Sequence, residues 1–153
     1  MASKHGKKKI VLASGVFDLL HLGHVKFLEE AKKAGGKDAE LLVIIARDST
    51  VEKNKGRKPI MPENQRRALV ESLKVVDEAV LGFEDFDVDD VIKRIKPDVI
   101  ALGYDQAGME KRVQEYVNKH KLNTAVICIG KFEEDALDSS SKIRQKIIEK
   151  FIR

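Results

Sequence analysis

Hydrophobic residues occur along this chain in short continuous runs, separated by stretches in which apolar positions recur every three or four residues. The continuous runs predict strands buried on both faces, and the spaced pattern predicts amphipathic helices. The predicted strands are residues 8–14, 40–46, 75–81, 99–103 and 124–129. Since strands and helices alternate, we predict one α/β domain over residues 1–153, a Rossmann-like, doubly wound sheet of five parallel strands.

The predicted helices cover residues 23–34, 62–73, 87–96, 109–120 and 139–152. Gly35 and Gly36 are expected to end the first helix through the left-handed conformation open to glycine. The last helix carries an apolar stripe of Ile143, Ile147, Ile148 and Phe151. Residues 47–61 are polar and basic and contain Gly56 and Pro59, so we predict a loop there. Ligands of such sheets bind at the carboxyl ends of the strands, where the loops after the first, second, fourth and fifth strands should converge.

The stretch between the first strand and the first helix carries the strongest chemical signal. This segment, residues 14–24, is called the histidine turn below, and it reads Ser-Gly-Val-Phe-Asp-Leu-Leu-His-Leu-Gly-His. A helix that begins directly after a strand presents unpaired N–H groups and a positive dipole end, which favour a phosphate. His21 and His24 can both face that anion, and Gly23 lets it approach the backbone closely.

Two other interpretations of the histidine pair were weighed. A zinc half-site lacks an evident third ligand, since Cys128 is the only cysteine and the other histidines lie in a tail and a polar stretch. Helix capping is the other alternative, although Ser, Thr, Asp and Asn are the preferred caps. Both are less favoured than a phosphate site. The chain also lacks a G-x-x-x-x-G-K-[ST] loop and a G-x-G-x-x-G turn after the first strand.

The segments Gly15-Val16-Phe17-Asp18 and His21-Leu22-Gly23-His24 resemble the signature of the nucleotidyltransferase superfamily. This superfamily includes cytidylyltransferases, pantetheine-phosphate adenylyltransferases and FAD synthases, and its members carry G-x-F-D followed by H-x-G-H. The resemblance implies that His21 and His24 lie against the α- and β-phosphates of a nucleoside triphosphate. It also implies a nucleotide-binding role for Gly15, Val16, Phe17, Asp18 and Gly23.

A basic cluster follows the second predicted strand, as a triphosphate requires. Lys55, Arg57 and Lys58 lie in the predicted loop, and Arg66 lies on the next helix. A charged, solvated loop is the simpler interpretation. The resemblance favours a triphosphate-binding cluster, because family members bind the triphosphate with a lysine-rich loop and an arginine on the following helix. It implies nucleotide binding by the three loop residues and a catalytic role for Arg66.

Two later segments complete the expected site. Asp105, in Gly103-Tyr104-Asp105-Gln106, occupies a segment that contributes to nucleotide recognition in the family, and its Gly-Tyr-Asp-Gln form resembles archaeal-type FAD synthases. Ser139, Ser140 and Ser141 precede the last helix, where hydroxyl groups and helix N–H groups favour an anion or cap the helix. They resemble an I-S-S-T-x-I-R segment whose hydroxyls bind the triphosphate.

Composition places further limits on the chain. Its 153 residues are 42% hydrophobic and its net charge is +4, much of it in a basic arm over residues 1–8. With 5% aromatic residues, no extended basic and aromatic surface for nucleic acid is expected. No apolar run is long enough for a membrane span, and we expect a cytoplasmic protein. Cys128 lies in an apolar run, so a buried thiol is expected.

The resemblance implies an enzyme that transfers a nucleotidyl group to a phosphate monoester. The closest resemblance is to FMN adenylyltransferases, with ATP and FMN as substrates and Mg²⁺ bridging the triphosphate without an assigned protein ligand. The alternative acceptors are glycerol 3-phosphate or a sugar phosphate, with CTP or ATP as donor. A non-catalytic nucleotide-binding module is less favoured, since His21, His24, Arg66 and the serines are intact. A homodimer is compatible with the family.

Overall fold

The computed structural model describes residues 6–83, 87–132 and 137–152, and five strands and six helices alternate within them. The strands are β1 (Ile10–Gly15), β2 (Glu40–Ile45), β3 (Glu78–Leu81), β4 (Val99–Gly103) and β5 (Ala125–Ile129). The helices are α1 (Leu22–Ala34), α2 (Asp48–Lys55), α3 (Glu63–Glu71), α4 (Val88–Ile95), α5 (Ala107–Lys119) and α6 (Ser140–Phe151). The part of the basic arm before residue 6 lies outside the described residues.

All strands of the sheet are parallel and follow the order β3-β2-β1-β4-β5. The chain builds outward from β1 to β3 and then crosses to β4 on the other side of β1. The strand order therefore reverses between β1 and β4, which is where doubly wound sheets bind their ligands. The predicted α/β class and five-stranded parallel sheet are confirmed.

Alternate residues of β1 enter two different cores. Val11 and Ala13 pack in one core with Leu28 of α1 and Val70 of α3. Leu12 packs on the opposite face, in a core with residues of α4 and α5. Helices cover both faces of the sheet, which explains why its strands are continuous apolar runs rather than alternating ones.

The first half of the predicted loop 47–61 is a helix, so that prediction was wrong. Helix α2 has one buried residue, Val51, and therefore no clear helical pattern in the sequence. Its first turn is fixed by a distant residue, because Asp48 N donates to a carboxylate oxygen of Glu63 at 2.7 Å. Gly56 ends the helix in the left-handed conformation, with φ of 74°.

The two glycines after α1 have different roles, although both were expected to end the helix in the left-handed conformation. Gly35 is the C-cap with an ordinary φ of −84°, and Gly36 has the left-handed φ of 94°. A Cβ at Gly35 would lie 2.4 Å from a methyl carbon of Val11 and 2.6 Å from Cβ of Ala39. Gly35 is thus needed for close packing against β1, and Gly36 for the turn.

Two further expectations were wrong in detail. Strand β3 begins at Glu78, and Val75 and Val76 pack against the core without strand geometry. Cys128 is exposed, because β5 is an edge strand of the sheet. The apolar stripe of α6 is present, but no residue of α6 is buried and Phe151 is 73% exposed.

The described helices include none that combines the length and the apolar character needed to cross a membrane.

Candidate active site

A cavity of about 1030 Å³ lies at the carboxyl ends of the strands, and the loops after all five strands contribute to it. The loop after β3, which was not among the predicted contributors, adds Gly82 and Phe83. All predicted site residues except Arg66 line the cavity: Gly15, Val16, Phe17, Asp18, His21, Gly23, His24, Lys55, Arg57, Lys58, Asp105, Ser139, Ser140 and Ser141. The structure therefore brings together segments that are up to about 125 positions apart in the sequence.

The histidine turn has an unusual backbone that is held by a buried aromatic ring. Phe17 and Leu19 have positive φ angles of 55° and 49°, which side chains other than glycine rarely adopt. Phe17 is only 4% exposed, and its ring centroid lies 5.3 Å from that of His24. Such strain persists only where surrounding contacts determine the conformation, as the burial of Phe17 does here.

The starts of helices α1 and α6 meet at Gly23. A Cβ on Gly23 would lie 2.7 Å from the carbonyl oxygen of Asp138 and 2.9 Å from Nδ1 of His21. Only glycine allows this approach without a shift of the backbone. Because α1 and α6 both begin here, the unpaired N–H groups and dipoles of two helices point to the same part of the cavity, which favours bound anions.

The two imidazole rings are stacked at this point, with centroids 3.7 Å apart and planes 25° from parallel. His21 N donates to Nδ1 of His24 at 3.3 Å, so Nδ1 carries no proton and the neutral ring carries it on Nε2. Burial, and to a smaller extent the neighbouring His21, lower the pKa of His24 to about 3, against an opposing effect of Asp18. His24 is therefore a neutral N–H donor at physiological pH, and it also satisfies the backbone at the helix start.

His21 has a different environment, although its ring is stacked on His24. Burial lowers the pKa of His21, and the nearby charge of Asp138 partly opposes this effect. Its Nδ1 is buried, and its side chain faces the backbone N–H of His24 in a reciprocal capping box. The two histidines are thus chemically distinct.

Arg66 does not reach the cavity, contrary to the role predicted for it. The side chain is fully buried, and its Nη2 donates to Asp48 Oδ1 at 2.7 Å. The remaining bonds go to carbonyl oxygens of three segments: Val16 at 2.7 Å, Ala46 at 2.8 Å and Met61 at 2.9 Å. Because each nitrogen of the guanidinium has an internal acceptor, Arg66 joins the loops after β1 and β2 to the start of α3 and does not present its charge to a ligand.

The carboxylate of Asp18 also forms its hydrogen bonds within the protein. Its carboxylate oxygens accept hydrogen bonds from Ile60 N at 2.8 Å and Met61 N at 2.9 Å. These bonds fix the segment that follows the basic residues of the second loop. The predicted position of Asp18 at the cavity is therefore observed, but its carboxylate is committed to positioning that segment.

Basic side chains, some exposed and some half-buried, surround the cavity opening. Lys55, Arg57 and Lys58 line it as predicted, and all three are exposed. Four more basic residues that the sequence analysis missed also line it: Lys26, Arg47, Lys131 and Arg144. Lys131 follows β5 and Arg144 lies in the first turns of α6, so both were near predicted site segments, whereas nothing in the sequence distinguished Lys26.

The segment after β4 is held in place by Gln106. The side-chain oxygen of Gln106 accepts from Gly103 N at 2.8 Å, and Nε2 donates to the carbonyl of Ser14 at 3.3 Å. The ends of β4 and β1 are joined in this way across the point where the strand order reverses. Asp105 is exposed beside it at the cavity.

The serine run serves the capping function considered for it at the sequence level. Ser139 caps α6, its Oγ accepting from Lys142 N at 3.2 Å. Ser140 Oγ donates to the carbonyl of Asp18, which attaches the start of α6 to the histidine turn. These bonds place the start of α6 at the cavity, where its N–H groups can meet an anion.

The described residues contain no cluster of three or more His, Cys, Asp or Glu side chains that could hold a metal ion. The carboxylate of Asp18 is bonded to two backbone N–H groups, and Asp138 Oδ1 lies 2.7 Å from Lys142 Nζ.

A family model described as cytidylyltransferase-like matches residues 12–146. Archaeal proteins named FAD synthase are similar over most of both chains. The protein of Methanopyrus kandleri is 49% identical over 92% of this chain and 93% of its own length. That of Methanobrevibacter smithii is 50% identical over 91% and 90%, and that of Ferroglobus placidus is 51% identical over 92% and 88%.

Solved structures show the same fold. A Thermoplasma volcanium protein described as a lipopolysaccharide core biosynthesis protein is 46% identical, with a TM-score of 0.72 over 82% of this chain and 98% of that one. A pantoate-beta-alanine ligase of Francisella tularensis, complexed with beta-gamma ATP and beta-alanine, has a TM-score of 0.64 over 96% of this chain and 72% of its own. At 15% identity the second likeness concerns the fold alone.

Proposed function

Since this chain belongs to the cytidylyltransferase-like family, we propose that it is an FMN adenylyltransferase that transfers AMP from ATP to FMN. The products are FAD and pyrophosphate. The observation that carries this proposal is the identity of about one half, over about nine tenths of both chains, with archaeal proteins named FAD synthase. The shared length includes the histidine turn, the basic loop and the start of α6.

The reaction is a displacement at the α-phosphorus of ATP. A phosphate oxygen of FMN forms the new bond to this phosphorus, and the bond to the oxygen bridging the α- and β-phosphates breaks. The bonding electrons leave with pyrophosphate. A phosphate monoester is already a competent nucleophile at neutral pH, so catalysis depends on positioning the substrates and on stabilising the charge that moves onto the leaving group.

Different residues position the substrates and stabilise the charge on the phosphates. His24 donates Nε2–H to a phosphate oxygen, with His21 beside it, and the starts of α1 and α6 add their N–H groups. Lys55, Arg57 and Lys58 attract and hold the β- and γ-phosphates. Arg66 and Asp18 act as positioning residues, since their bonds fix the loops that carry these groups.

Members of this family generally use a divalent cation, and we propose Mg²⁺. The chemistry that such a cation supplies is neutralisation of phosphate charge. The described residues offer no carboxylate cluster for it, so the triphosphate oxygens and water are its ligands in this proposal.

A pyrophosphate-release assay with product identification tests the proposal. ATP and CTP are each combined with FMN, glycerol 3-phosphate and sugar phosphates in the presence of Mg²⁺. We expect release with ATP and FMN, with FAD as the product. The folded His24→Ala variant is the matched control for contaminating activity.

Other outcomes would contradict the proposal in different ways. Release of pyrophosphate with CTP and a polyol phosphate would leave the family assignment intact but show that ATP and FMN are not the substrates. Absence of release with every pair, together with binding of a triphosphate, would favour a non-catalytic nucleotide-binding module.

A further inference from the structure

We propose that Arg47 and Phe83, which both line the cavity, form the subsite for the acceptor on the β2–β3 side of the histidine turn. In this subsite Arg47 binds the phosphate of FMN, and the ring of Phe83 stacks on the isoalloxazine. The inference rests on the proposed function and deepens it, because it assigns one of the two substrates to one end of the cavity. The chemistry recognised is a phosphate monoester joined to a flat aromatic heterocycle.

The order of the strands gives the cavity two ends. The histidine turn follows β1, the central strand of the sheet, and the loops after β3 and β4 lie on opposite sides of it. The cavity volume of about 1030 Å³ is at the upper end of the roughly 300–1,000 Å³ that a small-molecule site occupies. FAD carries one heterocycle at each end of its pyrophosphate, so the two heterocycles must lie on opposite sides of the reacting phosphates. The cavity therefore has room for two nucleotides whose phosphates meet at the histidine turn.

Each end carries an exposed aromatic ring. Phe83 after β3 is 47% exposed, and Tyr104 after β4 is 52% exposed. Such rings can stack on a flat heterocycle. The guanidinium of Arg94 lies 5.0 Å from the centroid of Phe83, but Arg94 does not line the cavity and so supports the ring from outside. Lys131, whose Nζ lies 5.8 Å from the centroid of Tyr104, does line the cavity. Phe83 is therefore the more open platform and suits the larger isoalloxazine, which leaves Tyr104 for adenine.

Arg47 is held beside the histidine turn, and part of its guanidinium is available to a ligand. The preceding residue, Ala46, donates its N–H to the carbonyl of Gly15 at 2.9 Å. Nε of Arg47 donates to the carbonyl of Gly82 at 2.5 Å, and Nη1 donates to a carboxylate oxygen of Glu63 at 3.3 Å. Nη2 donates to no group of the described residues. An arginine oriented in this way at the cavity can donate two N–H groups to a phosphate.

Arg47 differs from the other basic residues of the second loop. Its side chain is 31% exposed, whereas Lys55, Arg57 and Lys58 are fully on the surface. The attacking phosphate must lie in line with the leaving pyrophosphate, so it needs a donor at a fixed position more than it needs additional charge. The bond from Arg47 to Gly82 also fixes the residue before Phe83, so the same side chain sets the positions of the phosphate site and the ring.

Binding of FMN and of riboflavin, measured by flavin fluorescence, tests the inference. Riboflavin lacks the phosphate and therefore reports on the ring alone. Both are titrated into protein saturated with Mg²⁺ and α,β-methylene-ATP, which cannot transfer AMP. Arg47→Gln should weaken FMN binding about ten- to hundredfold, the loss of one hydrogen bond to a charged group, and leave riboflavin binding unchanged. Phe83→Ala should weaken the binding of both flavins about five- to hundredfold.

Arg112→Gln and Phe151→Ala are the matched controls, because neither residue lines the cavity. Arg112 pairs with Asp87, and Phe151 is exposed at the end of α6. Both variants should leave flavin binding unchanged. Steady-state FAD formation gives a second readout, in which Arg47→Gln and Phe83→Ala should raise the KM for FMN and not the KM for ATP. Since Phe83 is exposed, its variant tests the subsite even if Arg47→Gln is unstable.

Two results would overturn the inference and leave the proposed function standing, with FAD still formed by the wild type. Equal weakening of FMN and riboflavin in Arg47→Gln would show that Arg47 only holds the loop after β3. A rise in the KM for ATP alone, in either variant, would mean that the acceptor binds at the other end of the cavity. Failure of the proposed function would appear differently, as a wild-type protein that binds neither flavin and forms no FAD, and it would remove the inference as well.

Discussion

The histidine turn and the basic loop, residues 55–58, both face the same cavity but are built in opposite ways. In the histidine turn a buried Phe17, the buried Arg66 and the carboxylate of Asp18 fix the backbone, and its histidines are stacked. The side chains of the basic loop are exposed to solvent. The first region provides a few donors at fixed positions, and the second provides charge with little positional constraint. Changes to the first should therefore have large, local effects, and changes to the second smaller, salt-dependent ones.

The largest effect is expected from removing the support of the histidine turn. Arg66→Met leaves Asp48 and three carbonyl oxygens without their partner, and breaking such a buried pair costs about 3–5 kcal/mol of unfolding free energy. Denaturant unfolding measures this loss. Arg67→Met is the matched control, because the neighbouring Arg67 is partly exposed and pairs with Glu71, an interaction worth about 0.2–1 kcal/mol. Equal losses in the two variants would show that Arg66 does not hold the loops.

The next largest effect is expected from a donor of the histidine turn. His24→Ala should lower kcat by roughly 10²–10³, which is typical of the loss of one preorganised donor to a developing charge. His120→Ala is the control, since the ring of His120 packs against that of Tyr116 and His120 does not line the cavity. Steady-state FAD formation measures both variants. A folded His24→Ala protein with nearly unchanged kcat would contradict the role proposed for His24.

The neutral state of His24 predicts a dependence of stability on pH. In the folded protein the pKa of His24 is about 3, against 6.5 for an exposed histidine. Below pH 6.5 the unfolded chain therefore binds the proton more readily, and the free energy of unfolding should fall as the pH decreases toward 3, by at most about 1.4 kcal/mol per pH unit for this group. When thermal unfolding is measured between pH 7.5 and 4, the stability of the His24→Gln variant should fall less steeply with decreasing pH than that of the wild type. Parallel curves for the two proteins would exclude this contribution.

The smallest effects are expected in the basic loop. Lys55→Ala should raise the KM for ATP a few fold at low salt, because an exposed charge contributes about 0.2–1 kcal/mol. Added salt should reduce the difference from the wild type. Lys53→Ala is the matched control, since Lys53 lies in the same last turn of α2 but does not line the cavity. Equal effects of the two variants would mean that the loop acts only through its total charge.

Much of the fold was predictable because it depends on patterns that are local in the sequence. The five apolar runs became five parallel strands, and the prediction that the strand-end loops would converge was confirmed. Helix α2 was missed because its single buried residue, Val51, gives no periodic signal. Its first turn is stabilised by Glu63, which lies outside the helix. The exposure of Cys128 was also unpredictable, since an apolar run does not reveal whether its strand is central or at an edge.

The sequence by itself determined which chemical groups this protein gathers at one end of its sheet, because the order of strands and helices dictates where strand-end segments meet. The tertiary structure decided which of those groups can face a ligand. Arg66 and Asp18 turned out to bond to distant backbone groups, while the main-chain carbonyl of Asp138 came to lie near Nδ1 of His21. The physical reason is that a side chain's availability depends on the acceptors and donors that folding places around it, and most of these are remote in the sequence.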